Sequence, residues 1–443
     1  MAINLLFGVT KSNYRHMKNN LNRRNFIKST AAISALTILK PGTVFASKAN
    51  SAVRVGIIGL GGRGISVIGS MSENAGINIA AAADLFEDKL INGVRDLNTF
   101  NKLRGFPDLS KSNQFVGSKA YLRLLESKDI DAVLISSPAY THATFLEAAV
   151  DANKHIYCEK PASVDVAGCK RVEKAGEKAN GKLSIVIGFQ IRHASPYVEM
   201  VQRIHNGQIG EVANAQLYYL SSGVTFKPFP NAVDDEIRIR NQYKFRALSG
   251  GILLDQAIHM LDVCNWVLQS SPVVARGSGG RKGGIDYGDT WSNYEVSYQY
   301  PQDINVSLHS SQVGTYFGDV CARFIGTSGI AEAHYSGGVF IEGANPWDSG
   351  ILRTSQAKLT PELIAKGVTG NALFDANKNK VQSFIGSIEN GKYLNETVSG
   401  SNSTLTAIMG RNSAIRNEEI SMEEIRFSDE YLDPKLNLSQ FDK

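Results

Sequence analysis

The chain contains the stretch Val53-Arg54-Val55-Gly56-Ile57-Ile58-Gly59-Leu60-Gly61-Gly62-Arg63-Gly64, an apolar run that leads directly into a Gly-x-Gly-x-x-Gly turn. In a strand–turn–helix unit, the first glycine of this pattern allows the tight turn. The second lets the backbone approach a pyrophosphate, and the third lets the helix pack on the strand. Free N–H groups at the helix N-terminus then favour an anion. The stretch predicts a Rossmann unit that binds a dinucleotide, with an ordinary strand–turn–helix joint as the alternative.

An acidic residue follows the next apolar run. Residues 77–83 are apolar apart from one asparagine, and Asp84 comes after them, 25 positions beyond Gly59. An acid at this point of a Rossmann unit accepts the hydroxyl groups of the adenosine ribose. Its charge would repel the 2′-phosphate of NADP, and no arginine follows closely, since Leu85 and Phe86 come next. The sequence therefore predicts NAD as the cofactor, with NADP as the alternative.

The first 46 residues have the features of an export signal. The segment Asn22-Arg23-Arg24-Asn25-Phe26-Ile27-Lys28 resembles a twin-arginine motif, residues 31–39 are mostly apolar, and Val44-Phe45-Ala46 fits a signal-peptidase site. The apolar part is too short to span a bilayer, and no cysteine precedes Cys158, so we expect no membrane or lipid anchor. We predict a periplasmic protein exported in the folded state. The alternative is a basic N-terminus that has no targeting role. Met17 is a candidate start residue for the chain.

The charge of the chain depends on this leader. Residues 1–46 contain no acidic residue and seven basic ones: Lys11, Arg15, Lys18, Arg23, Arg24, Lys28 and Lys40. Without them, 40 basic residues face 42 acidic ones, so the net charge changes from +5 to −2. A protein near neutrality lacks the basic surface that binds nucleic acid. We therefore expect no nucleic-acid partner.

The 397 residues that follow the leader exceed what one hydrophobic core usually holds. We predict a dinucleotide-binding domain over residues 52–190 and a substrate-binding and oligomerisation domain over residues 191–443. Four cysteines in so long a chain do not form a disulfide framework and are expected to be buried thiols; they are Cys158, Cys169, Cys264 and Cys321. The histidines and cysteines lack metal-ligand spacing, so no metal site is predicted.

A change in the hydrophobic pattern along the sequence supports this division into two domains. Up to residue 189, apolar strands alternate with helical segments, which is typical of a doubly wound parallel sheet. Residues 96–118 form a polar stretch between these segments. Beyond residue 196, strands such as residues 212–219 and 294–298 alternate apolar and polar side chains, which indicates a large, predominantly antiparallel sheet with one open face. An open face of this size usually has a partner, so we expect a homo-oligomer, a dimer or tetramer.

Four elements occur in order along the chain: Gly59-Leu60-Gly61-Gly62-Arg63-Gly64, Ser137-Pro138 with His142, Cys158-Glu159-Lys160-Pro161, and Asp255-x-x-x-His259. Together they resemble the Gfo/Idh/MocA family of NAD(P)-dependent oxidoreductases, over nearly all of the chain after the leader. The resemblance implies a Rossmann domain followed by an α+β domain with an open-faced sheet. The cofactor-binding residues expected from the glycine turn, the ribose acid and the resemblance are Gly59, Gly61, Gly62, Arg63, Gly64, Asp84, Ser137, Pro138, His142, Glu159 and Lys160.

The resemblance also implies catalytic residues. His259 would act as the principal base, Lys160 would reach the substrate hydroxyl and the nicotinamide ribose, and Asp255 would orient His259 or bind a substrate hydroxyl. If residues 250–262 are helical, Asp255 and His259 leave from one face. Arg192 is a further candidate for contact with the substrate, with a structural ion pair as its alternative.

The leading hypothesis is an exported oxidoreductase that moves a hydride between NAD(P) and a sugar hydroxyl. A second hypothesis is a glycosidase or lyase that oxidises the sugar transiently, eliminates the aglycone and reduces the sugar again. A third is a sugar or nucleotide sensor without activity, which the presence of Lys160, Asp255 and His259 argues against. Fold resemblance does not name the sugar.

Overall fold

The structure is a computed structural model that describes residues 52–283, 287–313, 318–353, 360 and 369–442. The predicted export signal lies outside the described residues. Residues 52–443 form one compact unit. None of the described helices has the length and apolarity needed to span a bilayer.

The first sheet has six strands, all parallel, in the order β3-β2-β1-β4-β5-β6. They are β1 (Arg54–Ile58), β2 (Asn78–Asp84), β3 (Gln114–Val116), β4 (Ala132–Ile135), β5 (His155–Cys158) and β6 (Ile185–Ile187). The strand order reverses between β1 and β4, which is where doubly wound sheets bind ligands, beyond the carboxyl ends of the strands. The predicted Rossmann sheet is confirmed.

Helices cover both faces of this sheet: α1 (Gly62–Ala75), α2 (Glu87–Leu103), α3 (Ala120–Leu125), α4 (His142–Asp151) and α5 (Val166–Ala179). The polar stretch of residues 96–118 contains the end of α2, which extends to Leu103, and the strand β3. This helix buries Leu90, Val94 and Leu97, a stripe at helical spacing, while the remainder of its surface is polar. Because most residues of this helix are polar, its short apolar stripe is difficult to recognise in the sequence.

The second sheet has nine strands in the order β14-β13-β12-β11-β7-β10-β9-β8-β15. They are β7 (Val212–Leu220), β8 (Val274–Gly280), β9 (Asn293–Tyr300), β10 (Ile304–Ser311), β11 (Asp319–Gly326), β12 (Gly329–His334), β13 (Val339–Gly343), β14 (Trp347–Asp348) and β15 (Ile420–Ser421). The β7–β10 pair is parallel and all other pairs are antiparallel. The prediction of a mostly antiparallel sheet is confirmed.

The described helices of this part are α6 (Ser195–His205), α7 (Asp234–Arg240), α8 (Arg246–Ser249), α9 (Ile258–Leu268), α10 (Ala376–Glu389), α11 (Thr397–Arg416) and α12 (Met422–Phe427). Helices α9 and α11 pack on one face of the second sheet, and α10 and α11 also contact α1 and α5 of the first part. On β9, residues alternate strictly between buried and exposed. The sheet therefore has one covered and one open face, as its sequence pattern predicts.

Residues 429–442, here called the C-terminal strap, return across the first part of the molecule. The backbone N–H of Leu432 donates to Asp165 at 2.8 Å. Near its end the strap accepts hydrogen bonds at Asp442 from the backbone N–H and the hydroxyl of Ser118, at 2.6 and 2.7 Å. The ring of Phe441 meets that of Phe86 edge to face, with centroids 5.3 Å apart. The strap is thus attached to the loops that follow β2 and β3.

Candidate active site

The glycine turn after β1 combines two tight contacts with an open cradle. A Cβ atom on Gly59, whose φ is +92°, would lie 2.6 Å from the carbonyl oxygen of Ser136, and one on Gly64 would lie 2.4 Å from that of Gly59. Gly61 and Gly62 instead face open space. Helix α1 begins there without a side-chain cap or an acidic residue in its first turn. Its leading N–H groups are therefore free to bind an anion.

A crevice of about 340 Å³ opens over this turn. The predicted cofactor residues Gly59, Gly61, Gly62, Asp84, Ser137 and Pro138 line it together with Phe86, Tyr121, Tyr140, Tyr243 and Leu438. Leu438 belongs to the C-terminal strap, so the strap contributes to the wall beside Asp84. The residues that close this end of the crevice come from three distant parts of the chain.

Asp84 lines the crevice with both carboxylate oxygens already in use. They accept hydrogen bonds from the backbone N–H groups of Leu60 at 2.8 Å and Phe86 at 2.9 Å. Burial raises the pKa of Asp84, against the opposing effect of these two donors. Each carboxylate oxygen has two lone pairs, so acceptor positions remain for ribose hydroxyl groups.

A second crevice, of about 300 Å³, holds all three predicted catalytic residues: Lys160, Asp255 and His259. Residues Ser136, Ser137, Gln242 and Tyr243 line both crevices, which therefore adjoin each other. The other residues of the second wall include Arg63, Glu159, Gln190, Ser249 and Tyr335. The second crevice is therefore lined by residues that follow strands of the first sheet, such as Lys160, and by residues that follow strands of the second, such as Tyr335.

Lys160 is paired with Asp255. Its Nζ lies 3.6 Å from Oδ1 of Asp255 and donates a hydrogen bond to the main-chain carbonyl oxygen of the same residue. Lys160 follows β5, and the peptide bond to Pro161 is cis. Both side chains are mostly buried, so the pair presents one cation and one anion to the crevice in a setting that water screens weakly.

His259 lies beside this pair. The chain makes a π-helical turn over Leu253–Ala257, and α9 then begins at Ile258. Single π-turns of this kind recur at functional sites. Asp255 and His259 both line the crevice, but no hydrogen bond joins them, because Asp255 faces Lys160. The Nδ1 atom of His259 is buried without a hydrogen-bond partner among the described residues.

The charge state of His259 follows from its surroundings. Burial lowers its pKa well below 6.5, and the positive charges of Lys160 and Arg63 lower it further. His259 is therefore neutral near pH 7 and can accept a proton. The rings of Phe189 and Tyr335 flank it, with centroids 6.4 and 6.1 Å away.

A row of hydrogen-bonded side chains forms part of the wall of the second crevice. Arg63 donates from Nε to Glu159 at 2.9 Å and from Nη2 to Oε1 of Gln190 at 3.4 Å. Gln190 in turn donates to the hydroxyl of Tyr335 at 3.1 Å. Burial raises the pKa of Tyr335, so its phenol stays protonated. This row connects the glycine turn to the second sheet.

His142 lines the second crevice and is almost fully buried. Its Nδ1 is 2.7 Å from the carbonyl oxygen of Pro161, and its Nε2 is 2.9 Å from that of Ser137. A neutral ring donates to one of these oxygens and an imidazolium to both. Complete burial lowers the pKa of His142 despite the two carbonyl oxygens. The ring fixes the spacing between the loop after β4 and the residue after Lys160.

Arg192 does not line either crevice. Its guanidinium makes a bidentate contact with Asp262, with bonds of 2.9 to 3.1 Å, and Asp262 also accepts from Ser403 at 2.7 Å. The side chain of Asp262 is almost fully buried. The structure gives Arg192 the structural ion pair that was the alternative for it.

Sequence reasoning missed several residues of the site. Gln190, two positions before the predicted candidate Arg192, lines the second crevice. Tyr335 follows a strand of the second sheet, and the sequence around it contains no motif that indicates a role in the site. Ser249 and Gln242 come from the short helices before the π-turn, a region without a recognisable pattern.

Two family models match the chain. Residues 53–187 match the model described as oxidoreductase family, NAD-binding Rossmann fold, and residues 197–332 match the GFO/IDH/MocA C-terminal domain. The two matches follow one another in the order of the two sheets. They meet near the loop after β6, where the second crevice lies.

Relatives and solved structures agree with these matches. The inositol 2-dehydrogenase of Salmonella typhimurium is 32% identical over 150 residues, which span 33% of this chain and 38% of that enzyme. The inositol 2-dehydrogenase of Serratia proteamaculans is 24% identical over 343 residues, 77% of this chain and 87% of that enzyme. The crystal structure of scyllo-inositol dehydrogenase from Lactobacillus casei with bound NAD(H) and scyllo-inositol has a TM-score of 0.62 at 20% identity, over 84% of this chain and 99% of that one. This last likeness shows the fold.

Proposed function

Because the chain belongs to the Gfo/Idh/MocA family of oxidoreductases and has its NAD-binding Rossmann domain, we propose that it transfers a hydride between NAD and a hydroxyl-bearing carbon of a sugar or sugar derivative. One observation carries the proposal: Lys160, Asp255 and His259 converge in a crevice that adjoins the crevice over the glycine turn. The relatives named above act on inositols, which are polyhydroxylated rings. A ring of this kind offers the hydroxyl groups that the polar side chains of the second crevice can bind.

The residues of the first crevice fit NAD. The uncapped start of α1 and the open space at Gly61 and Gly62 suit a pyrophosphate, and Asp84 suits a ribose with two free hydroxyl groups. When bound, NAD supplies the hydride acceptor, or in its reduced form the hydride donor. The Arg63–Glu159 pair lies at the end of the crevice shared with Lys160.

The remaining chemistry belongs to the chain. We assign His259 as the base that takes the hydroxyl proton, since burial and nearby cations keep it neutral. Lys160 donates hydrogen bonds toward the substrate oxygen and stabilises negative charge on it. Asp255 holds the ammonium of Lys160 in place. In the reducing direction the same groups return the proton.

A glycine variant tests where the cofactor lies. Gly61 has extended backbone angles that any residue adopts, φ −74° and ψ 172°, and a Cβ there meets no atom within 4 Å. Gly61→Val is expected to leave folding stability nearly unchanged and to weaken NAD binding about tenfold or more, which is about 1.4 kcal/mol. Titration calorimetry with NAD measures the effect. Gly280→Val, on exposed β8 and equally free of contacts, is the matched control, and unchanged NAD affinity in Gly61→Val contradicts the assignment.

A pH profile tests the environment of His259. Arg63→Gln removes one of the two positive charges that lower the pKa of His259, so this pKa rises toward 6.5. Because the neutral ring is the base, activity falls as the pH falls through this pKa. The acidic limb of kcat/KM is therefore expected at a higher pH in the variant than in the natural protein. Profiles over about pH 5–8 measure it, Arg95→Gln on the exposed side of α2 is the control, and an unmoved limb argues against His259.

The function itself is tested on the purified protein. Acid releases bound nucleotide, and mass spectrometry should identify NAD. A panel of sugars, inositols and aryl glycosides is then mixed with the protein and NAD. Absorbance of the reduced nicotinamide supports the proposed dehydrogenase, whereas release of aglycone without that absorbance supports the oxidation–elimination route instead. Neither signal with any compound, despite bound nucleotide, supports a sensor.

We also propose that residues 1–46 direct export to the periplasm by the twin-arginine route and that the protein self-associates. The Arg23-Arg24 motif, the short apolar run and the absence of acidic residues in the leader support export. The open face of the second sheet supports self-association. Fractionation of cells that carry the natural leader or an Arg23→Lys/Arg24→Lys variant tests the first, and analytical ultracentrifugation tests the second.

A further inference from the structure

Three potential metal ligands meet on the open face of the second sheet. Strands β11 and β12 are antiparallel, and Cys321 stands directly opposite His334. Asp319 precedes Cys321 by two residues, so both leave β11 on the same face. One ligand atom from each of Asp319, Cys321 and His334 lies within 4.8 Å of the others. The Nδ1 atom of His334 is 3.6 Å from Oδ1 of Asp319.

The other nitrogen of His334 is already fixed. Its Nε2 lies 2.6 Å from Oε1 of Glu332, and Glu332 is held by Arg323, whose Nε lies 2.5 Å from its other oxygen. Histidines that bind a metal almost always donate their second N–H to a carboxylate or carbonyl, which sets the tautomer and the ring orientation. Glu332 therefore leaves Nδ1 as the atom that faces Asp319 and Cys321. Metal-binding histidines are commonly oriented by a carboxylate in this way.

We propose that Asp319, Cys321 and His334 bind a zinc-class divalent transition metal ion. The combination of a thiolate, an imidazole and a carboxylate suits Zn²⁺ and Co²⁺, whereas Mg²⁺ and Ca²⁺ prefer oxygen ligands only. Zinc sites are almost always tetrahedral, so three protein ligands leave a fourth position for water or an added ligand. Asp319 and His334 are partly exposed, which gives the ion a path from solvent, while Cys321 is buried.

This site is separate from the proposed active site. His334 directly precedes Tyr335, which lines the second crevice, and neighbouring residues leave a strand on opposite faces. The sequence predicted no metal site because Cys321 and His334 are 13 residues apart without a metal-binding spacing. Strand pairing closes that distance. Without metal, the same side chains form an ion-paired imidazolium between Asp319 and Glu332, and this is the competing interpretation.

The experiment uses the full chain, treated with a chelator and titrated with Co²⁺. We expect about one Co²⁺ per chain with tetrahedral visible bands and a thiolate-to-cobalt charge-transfer band in the near ultraviolet. Zn²⁺ should displace Co²⁺ and abolish these bands. Cys321→Ser should remove the charge-transfer band, His334→Gln should weaken binding at least as much, and Glu332→Gln should weaken it about 10- to 100-fold.

Two control variants make the result specific. His309→Gln lies on the same open face, two strands away, and contacts Tyr218 instead of the cluster. Cys264→Ser alters a buried cysteine on α9. Both are expected to bind Co²⁺ as the natural protein does. The proposal is overturned if the natural protein shows no charge-transfer band, or if the band survives in Cys321→Ser. Should Cys321→Ser fail to fold, His334→Gln and Glu332→Gln decide by the same titration.

Discussion

Lys160→Met is expected to lower kcat about 10²- to 10⁴-fold, the range that a positioned proton-transfer or charge-stabilising group contributes. Methionine resembles the stem of lysine in shape, with a thioether sulfur in place of one methylene group, and lacks the ammonium group. Asp255 then loses its counter-ion in the crevice. Initial rates of NADH formation with the best substrate from the panel measure the loss, and calorimetry with NAD checks that the cofactor still binds.

The control is Lys174→Met, an exposed lysine of α5, which should retain full activity. His259→Asn provides the complement. If both residues act on one proton, Lys160→Met combined with His259→Asn should cost much less than the product of the single losses, because residues that act as a unit are not additive. Full turnover in Lys160→Met would remove Lys160 from the mechanism and with it the proposed arrangement of the second crevice.

Arg411→Met should lower the free energy of unfolding by about 3–5 kcal/mol, as the loss of one partner of a buried ion pair does. Arg411 lies in α11 and has a side chain only 1% exposed. It pairs with Glu430 of the C-terminal strap and donates to the carbonyl oxygen of Val164 at 2.8 Å. Burial lowers its pKa, against the opposing charge of Glu430, yet arginine stays charged in proteins. The variant leaves Glu430 without its cation.

Urea unfolding followed by tryptophan fluorescence measures this loss. Arg416→Met, in the same helix and exposed, should change stability by less than about 0.5 kcal/mol. A second variant, Arg411→Met with Glu430→Gln, removes the stranded charge and should recover part of the loss. If Arg411→Met costs under about 1 kcal/mol, the strap is not held by this pair.

The sequence was most informative where local pattern and chemistry coincide. The glycine turn, Asp84 and the Glu159-Lys160 segment each combine a strand end with residues of defined chemistry, and the structure places them along two adjoining crevices. Buried strands such as β4 read as uninterrupted apolar runs. These features depend on neighbours in sequence, so one chain suffices to predict them.

Contacts between distant segments were not predictable in this way. Arg192 follows a Rossmann strand, and only the fold shows that its guanidinium pairs with Asp262. The hydroxyl of Ser403 donates a further hydrogen bond to Asp262. Tyr335 reaches the crevice because β12 pairs with β11 and ends where Tyr335 contacts Gln190, just after the first sheet. The π-turn at Leu253–Ala257 alters a helix whose sequence reads as ordinary. Each depends on tertiary packing that overrides local preference.

The C-terminal strap sets an order of events during synthesis. The glycine turn at Gly61 leaves the ribosome long before Leu438, which completes the wall beside Asp84. A nascent chain can therefore fold its Rossmann sheet while the adenine end of the crevice still lacks one side. We expect nucleotide bound at that stage to dissociate faster than nucleotide bound after the strap contacts Ser118 and Phe86. For a chain exported in the folded state, as proposed, this leaves the interval between the end of translation and passage through the membrane for loading with NAD.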